Sequence, residues 1–539
     1  VSIIAATDFY KTGHKFQYPE GTEYVYANFT CRSGKNANLL PDWDEKVVFF
    51  GLQGMLQELL IDRWRNDFFH QPKNLVLAEY KRRMDTSLGR NAVDISHIEE
   101  LYELGYLPVE IKALPEGSRV NLKVPLFTIV NTDPRFFWIT NYLETQISAE
   151  MWKPIVGATI AHEYKRLLVH YAKETGAPVD FVAWQGHDFS MRGMSGIHDA
   201  TRVGAGHLLS FLGTDTIPAI DYLEAYYGAR DTFVGGSVPA TEHSVMTMGG
   251  EEGELDLFRR LVTKVYPSGI VSIVSDSFDF WRVMTEYAPA LKDEILARQP
   301  DGLGNAKVVF RPDSGDPVKI ICGSAAPVEL FNNDPWQALN AGYTHIRKDG
   351  KFYELVEVRG NHGFGAKLIE VEPTPEMKGA IEVLWETFGG SYTEKGYRLL
   401  NPRVGLIYGD SITLDRAQRI LAGLKAIGFA STNVVFGIGS FTYQHVTRDT
   451  FGAAIKATWG VVNGQARDIY KAPKTDDGSK HSARGLLRVE REGDDFVLYD
   501  RQDSWGERNG ELQTVFRNGW LYAPTTLTLI RERLAAASA

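Results

Sequence analysis

Cysteine is almost missing from this chain. Cys31 and Cys322 are its only two, too few for a disulfide framework and without the paired spacing of a zinc site. That absence predicts a reducing, cytoplasmic setting. Long apolar runs are missing too: nothing approaches the ~18 residues of a membrane span. The opening VSIIAA meets Asp8 after about six apolar residues, shorter than a signal-peptide core, and Val1 stands where an initiator Met would be. The expectation is a soluble protein without a membrane partner. A basic surplus is also lacking, since 58 Lys and Arg against 68 Asp and Glu leave a net charge of −10. This argues against a nucleic-acid partner, so any anionic ligand must be held by a local basic cluster.

What the chain does have is core. With 539 residues, 44% of them hydrophobic and 23% charged, it is long enough for two or more domains. The run KVVFRPDSGDP (307–317) reads as a buried strand ending in a polar, glycine-permitted turn. Similar apolar runs end in acidic or glycine-bearing turns at FVAWQGHDFSMRG (181–193), VSIVSDSFD (271–279), RVGLIYGDSI (403–412) and NVVFGIGS (433–440), several followed by helical periodicity. Such units predict an α/β fold with a parallel β/α barrel whose functional residues ring the mouth where strands end. Arg192, Asp276, Arg311, Asp313, Asp410 and Gly439 would lie there.

Three blocks follow. Residues 1–178 read as α+β, with an aromatic and basic opening, helical character from Val47 to about Ile61, antiparallel alternation over 107–133 and a helix from Asn141 to about Lys173. Residues 179–448 form the barrel, interrupted by a polar, Gly-rich insertion at about 322–378 with short strands of its own. Residues 449–539 return to short strands and a final helix. After Thr413, the residues Ala417, Ile420, Leu421 and Leu424 share one face, as an ordinary barrel helix requires.

Residue types suggest a ligand. Arg192, Arg311, Arg448, Lys456 and Lys471 offer cations for phosphate, while Asp276, Asp313 and Asp410 suit ribose hydroxyls or the water shell of Mg²⁺; a phosphorylated sugar would satisfy both. FGIGSFT (436–442) places Gly437 and Gly439 just past a strand, open to an anion or to a plain tight turn, and lacks the third glycine of a dinucleotide fingerprint. RGNHGFGAK reads either as a phosphate cradle or as a hairpin turn. His187 beside Asp188, and His243 beside Glu242, can be hydrogen-bonded structural residues or catalysts.

The motifs ATDFYKTGHKFQYPEGT, HDFSMRG, GTDT, SVPATEHS, VSDSFD, RPDSGDP, YGDSI, TRD and VVNG occur in the order and rough spacing of the nicotinamide phosphoribosyltransferase family of type II phosphoribosyltransferases. The resemblance covers nearly the whole chain except the insertion. It implies an irregular barrel, with a smaller α+β domain assembled from both chain ends, and a homodimer with sites shared across the interface. It also implies transfer of a phosphoribosyl group from 5-phosphoribosyl-1-pyrophosphate to nicotinamide in NAD salvage, with Mg²⁺ held mainly through pyrophosphate and ATP as a coupled co-substrate.

By the same resemblance, Phe189 and the partner's Tyr10 would sandwich the pyridine. Asp215 would meet the carboxamide, Arg311 would border the ring, and Ser237 would be a further substrate-binding residue. Asp313, Gly409 and Asp410 would hold the ribose hydroxyls, with Asp276 near ribose and pyrophosphate. Arg192, Gly439 and Ser440, with the partner's Arg448, would bind phosphate, and Arg32, Lys456 and Lys471 would serve the pyrophosphate or ATP phosphates. His243 matches the histidine that the family phosphorylates. Where the family has three glycines at the phosphate turn, this chain has Gly439, Ser440 and Phe441. The alternatives are a nicotinate phosphoribosyltransferase, a secreted signalling relative, and a two-carboxylate sugar hydrolase, which would leave the Arg and Lys set unexplained.

Overall fold

The computed structural model describes residues 2–38, 40, 43–360, 363–470 and 483–537. Six parallel strands form its central sheet, in the spatial order Gly213–Thr214, Gly186–Asp188, Val434–Ile438, Val404–Tyr408, Ala306–Arg311, Gly269–Val274. The sheet curls until its two edges are joined by the stretch 236–241. Gly213 pairs with Gly236 and Ala240 with Ser272 in isolated parallel bridges, and Ser272 N donates to the Pro239 carbonyl at 2.9 Å. Thr241 N donates back to the Ser272 carbonyl at 3.0 Å, but Pro239 has no N–H with which to extend the ladder, so this seam closes the barrel without becoming a regular strand.

The strands are Val- and Ile-rich because helices cover the barrel from outside, burying Val271, Ile273, Val308, Phe310, Leu406 and Phe436. Helix Leu414–Ala426 shows how the sequence sets such a cover: the Thr413 side chain accepts from Arg416 N at its start, and Ala417, Ile420, Leu421 and Leu424 are buried.

The second layer is an antiparallel seven-stranded sheet built from both ends of the chain. Thr22–Thr30, Val109–Ala113 and Pro125–Asn131 come from the front, and Ala454–Val462, Gln465–Asp468, Gln513–Arg517 and Trp520–Leu521 from the back. The 37-residue helix Ile139–Thr175 ties the two units together. Its Thr159 hydroxyl accepts from Val48 N at 2.9 Å, and its Tyr164 hydroxyl donates to the Ile412 carbonyl at 2.6 Å, beyond a barrel strand. Among the described residues no helix is long and apolar enough to cross a membrane.

The insertion is a small unit of its own. Strands Ala325–Pro327, His345–Lys348, Lys351–Gly360 and Gly363–Val371 form a four-stranded sheet over a core of Val328, Ala338, Ile346 and Leu355. The described part of the RGNHGFGAK run lies in the last two strands, which pair as a hairpin; Asn361 and His362 lie outside the described residues.

Three local expectations are corrected. FVAW does not extend as a strand: Val179–Phe181 and Val182–Gln185 are helical turns, and only Gly186–Asp188 joins the sheet. Val47 does not begin a helix but sits in strand Lys46–Val48, pairing with Arg119–Asn121. Gly437 lies inside strand Val434–Ile438, not past it. For Val47 and Gly437 pairing partners far along the chain override a local pattern, while FVAW is a short apolar run that reads equally as strand or helix.

Candidate functional site

The strand ends bring most of the expected mouth residues together. At one side, His187 Nε2 lies 2.9 Å from Asp215 Oδ1, and the Ser237 hydroxyl donates to that same oxygen at 2.6 Å. Burial alone would raise the Asp215 carboxyl. The hydrogen bond and charge of His187, the Ser237 hydroxyl and the nearby Arg311 guanidinium outweigh it and hold the group below its ordinary value. Asp215 is therefore an oriented anion with about half of its side chain, 47%, open to the mouth.

Phe189 follows directly from strand Gly186–Asp188, its ring 4.9 Å from that of His187. It lies across two glycines. A methyl group added at Gly437 would sit 2.2 Å from Phe189 Cδ2, and one at Gly409 2.9 Å from the same atom. The backbone there is bare so that an aromatic shelf can lie on it.

On the opposite side, Asp276 organises the RPDSG turn. Its Oδ2 accepts from Asp313 N at 2.8 Å and from the Ser314 hydroxyl at 2.6 Å, while its Oδ1 lies 3.2 Å from His243 Nε2. Tyr408, at the end of its strand, donates to the Ser314 and Gly315 carbonyls at 2.9 and 3.0 Å. Its phenol is raised first by burial, then by the charges of Asp410, Asp276, Asp313 and Asp316, which marks the point where these carboxylates converge. Among the described residues no group of His, Cys, Asp and Glu is arranged to hold a metal ion. The Arg311 Nε is buried without a hydrogen-bond partner among the described residues.

The third part is the turn Gly439–Ser440. A methyl group at Gly193 would approach Ser440 Oγ to 2.0 Å, so the segment carrying exposed Arg192 presses against this turn. Phe441 turns outward, 43% exposed, with its ring 4.2 Å from that of His445. It does not crowd the turn.

Other expected residues sit apart. Arg32 Nε donates to the Gly452 carbonyl at 3.0 Å and Arg32 N to the Phe451 carbonyl at 2.9 Å, in the same loop as Arg448, which pairs with Asp449 at 3.1 Å. Lys456 stands opposite Asn28 in the antiparallel sheet, and Tyr10 is 62% exposed. Among the described residues, no hydrogen bond or ion pair links these four to the barrel mouth. Lys471 lies outside the described residues. Tyr408 was not singled out from sequence, and Gly437 was named there only as open to an anion or a tight turn, not as the floor beneath Phe189. The first was visible as the aromatic residue before GDS, and the second as a glycine inside an otherwise bulky strand.

Comparison with known proteins gives a consistent picture. Residues 184–519 match the nicotinate phosphoribosyltransferase (NAPRTase) family, and residues 2–111 match the nicotinamide phosphoribosyltransferase N-terminal domain. The chain is 58% identical to a nicotinamide phosphoribosyltransferase of Acinetobacter baylyi, covering 99% of this chain and 97% of the relative. It is 32% identical to one of Xanthomonas campestris, covering 99% and 98%. The crystal structure of human nicotinic acid phosphoribosyltransferase shares the fold at a TM-score of 0.51 and 14% identity, covering 98% of this chain and 93% of that one.

Proposed function

The chain belongs to the nicotinamide phosphoribosyltransferase family, and from that premise we propose how its residues divide the work of the reaction. It is a pentosyltransferase that joins nicotinamide to 5-phosphoribosyl-1-pyrophosphate, forming nicotinamide mononucleotide and pyrophosphate. The pyridine lies on Phe189, and its carboxamide NH₂ donates to Asp215, whose ionised state and orientation by His187 and Ser237 carry this reading.

The ribose sits over Asp313 and Asp410, with Asp276 holding the RPDSG turn in place. Arg192, Gly439 and Ser440 receive the 5-phosphate. As pyrophosphate departs, C1 gains oxocarbenium character. The surrounding carboxylates stabilise it, and the seated pyridine nitrogen attacks within bonding distance. That nitrogen carries no proton, so no general base is needed. Mg²⁺ would enter with the pyrophosphate as part of the substrate, held mainly by phosphate oxygens and water.

We also assign Tyr10, Arg32, Arg448 and Lys456 to the site of a partner subunit in a homodimer. Their exposure and their separation from the mouth of their own chain support this. His243, exposed and hydrogen-bonded to Asp276, is the residue we assign to phosphorylation by ATP. A cytoplasmic setting accords with the two buried, reduced cysteines.

The experiment is pyrophosphate release from 5-phosphoribosyl-1-pyrophosphate with nicotinamide and with nicotinate. Strong preference for nicotinamide is expected. Preference for nicotinate would overturn the assignment of Asp215.

A further inference from the structure

We infer that Lys153 is a positioning residue for the phosphate end of the substrate site, acting through Gln444; this rests on the assignment of Arg192 and Ser440 to the ribose phosphate. Lys153 borders a cavity of about 340 Å³ lined also by Glu150, Trp152, Ser195, Asp199 and Gln444. The cavity does not call for an ionic ligand, because its charges are matched already. Lys153 Nζ lies 3.5 Å from Asp199, and Arg202 Nη2 lies 2.6 Å from Glu58 and 3.3 Å from Glu150.

What meets at its wall is three separate segments. Lys153 comes from the long helix Ile139–Thr175, its side chain only 10% exposed, and donates to Gln444 Oε1 at 2.9 Å. Gln444 Nε2 donates in turn to the Ser195 hydroxyl, and Ser195 N donates to Asp199 Oδ2 at 3.0 Å. Gln444 ends the short helix Ser440–Gln444, and Ser195 lies three residues beyond Arg192.

The segments bearing Arg192 and Ser440 are thus held together at two points. One is the close approach of Gly193 to Ser440 Oγ, and the other is the Gln444–Ser195 hydrogen bond. Lys153 anchors the second point to the long helix Ile139–Thr175. A buried ammonium is costly unless it is partnered, so Gln444 and Asp199 fix its position, and it fixes theirs. Two phosphate-binding groups on different segments need this kind of support to stay within the sub-ångström tolerance of a binding constellation.

The test compares wild type with Lys153→Met, which keeps the aliphatic stem and removes the ammonium, with Gln444→Leu and with the double variant. Measured are kcat, both KM values, thermal unfolding, and calorimetric binding of 5-phosphoribosyl-1-pyrophosphate without nicotinamide. Each single variant is expected to raise the KM and Kd for 5-phosphoribosyl-1-pyrophosphate roughly five- to twentyfold while the nicotinamide KM stays within about twofold. The double variant is expected to be no worse than the worse single, since both break one linkage. Should Lys153→Met fail to fold, Gln444→Leu carries the same expectation. Folded variants with unchanged affinity for 5-phosphoribosyl-1-pyrophosphate, equal rises in both KM values, or a multiplicative loss in the double variant would overturn the inference while leaving the proposed reaction standing. A wild type that makes no mononucleotide would overturn both.

Discussion

In the proposed site, Asp215 reads the base because its neighbours leave it charged and fixed. A carboxylate accepts from the carboxamide NH₂ of nicotinamide but faces the carboxylate of nicotinate with like charge, a juxtaposition that costs roughly several kcal/mol in a desolvated site. Asp215→Asn keeps the shape, removes the repulsion and supplies a donor. The ratio of kcat/KM for nicotinamide over nicotinate is expected to fall by about tenfold or more, and steady-state kinetics with both bases measures it; an unchanged ratio would mean that Asp215 does not sense the substituent. Gly437→Ala tests the shelf. The new methyl would occupy space held by Phe189, so the nicotinamide KM should rise by about tenfold or more while affinity for 5-phosphoribosyl-1-pyrophosphate changes little. The mouth carboxylates were legible in the sequence because each ends a recognisable strand-and-turn run. The pairing of His187 with Asp215 was not, since 28 residues separate them and only the parallel pairing of their strands brings them together.

At the scale of elements, the insertion is joined to the barrel by a narrow neck. A methyl at Gly379 would sit 2.3 Å from Gly323 N, and Ser324 N donates to the Glu376 carbonyl at 2.7 Å, so the chain leaves and returns at nearly one point. Its core is separate as well. Replacing residues 324–378 by two glycines should therefore leave a folded barrel, with transfer activity within about threefold of wild type, because loop closure across a short gap costs little. The lost Arg347–Glu382 ion pair at 2.7 Å should lower Tm by only a few degrees. Insoluble protein, or loss of activity in a folded one, would show that the insertion supports the mouth. That the insertion carries short strands of its own was legible from its change of composition. The helical turns of FVAW were not, because a short apolar run cannot by itself declare strand or helix; the strand ladder starts only at Gly186, where Phe436 pairs with it.

For the molecule as a whole, acid is the expected weakness. His97, His162 and His207 are 1%, 2% and 0% exposed. Burial is the leading cause that lowers them to about 4, about 3 and about 4. A depressed base in the fold contributes stability that is fully present above its ordinary 6.5 and is lost as pH falls towards the folded values. Glu116 acts oppositely. Burial raises it to about 7 from 4.5, so it contributes more as pH falls through that window. Among these four groups, three protons taken up against one released leave about two bound on unfolding near pH 5.5, a number that the burial-raised carboxyls of Glu163 and Glu254 reduce. Stability should fall with acid at up to that slope, read from denaturation curves between pH 6.5 and 5. A flat profile would contradict the buried neutral state of these histidines.

The proposed dimer makes a separate prediction at this scale. Tyr10→Ala and Asp313→Ala subunits, each inactive alone, should regain activity when mixed, because one hybrid site is then intact. Hybrids that form and stay inactive would place each site within a single chain.

The seam that closes the barrel has a consequence for both ends of the site. Ser237 and His243 are six residues apart on one short ribbon, which is pinned at Gly236 and Ala240 and by the Thr241 N bond to the Ser272 carbonyl. A ligand that shifts this ribbon from one end works against the other, and thermodynamic reciprocity makes that influence equal in both directions. If phosphate on His243 tightens the grip on the base, the base must tighten the hold on phosphate by the same factor.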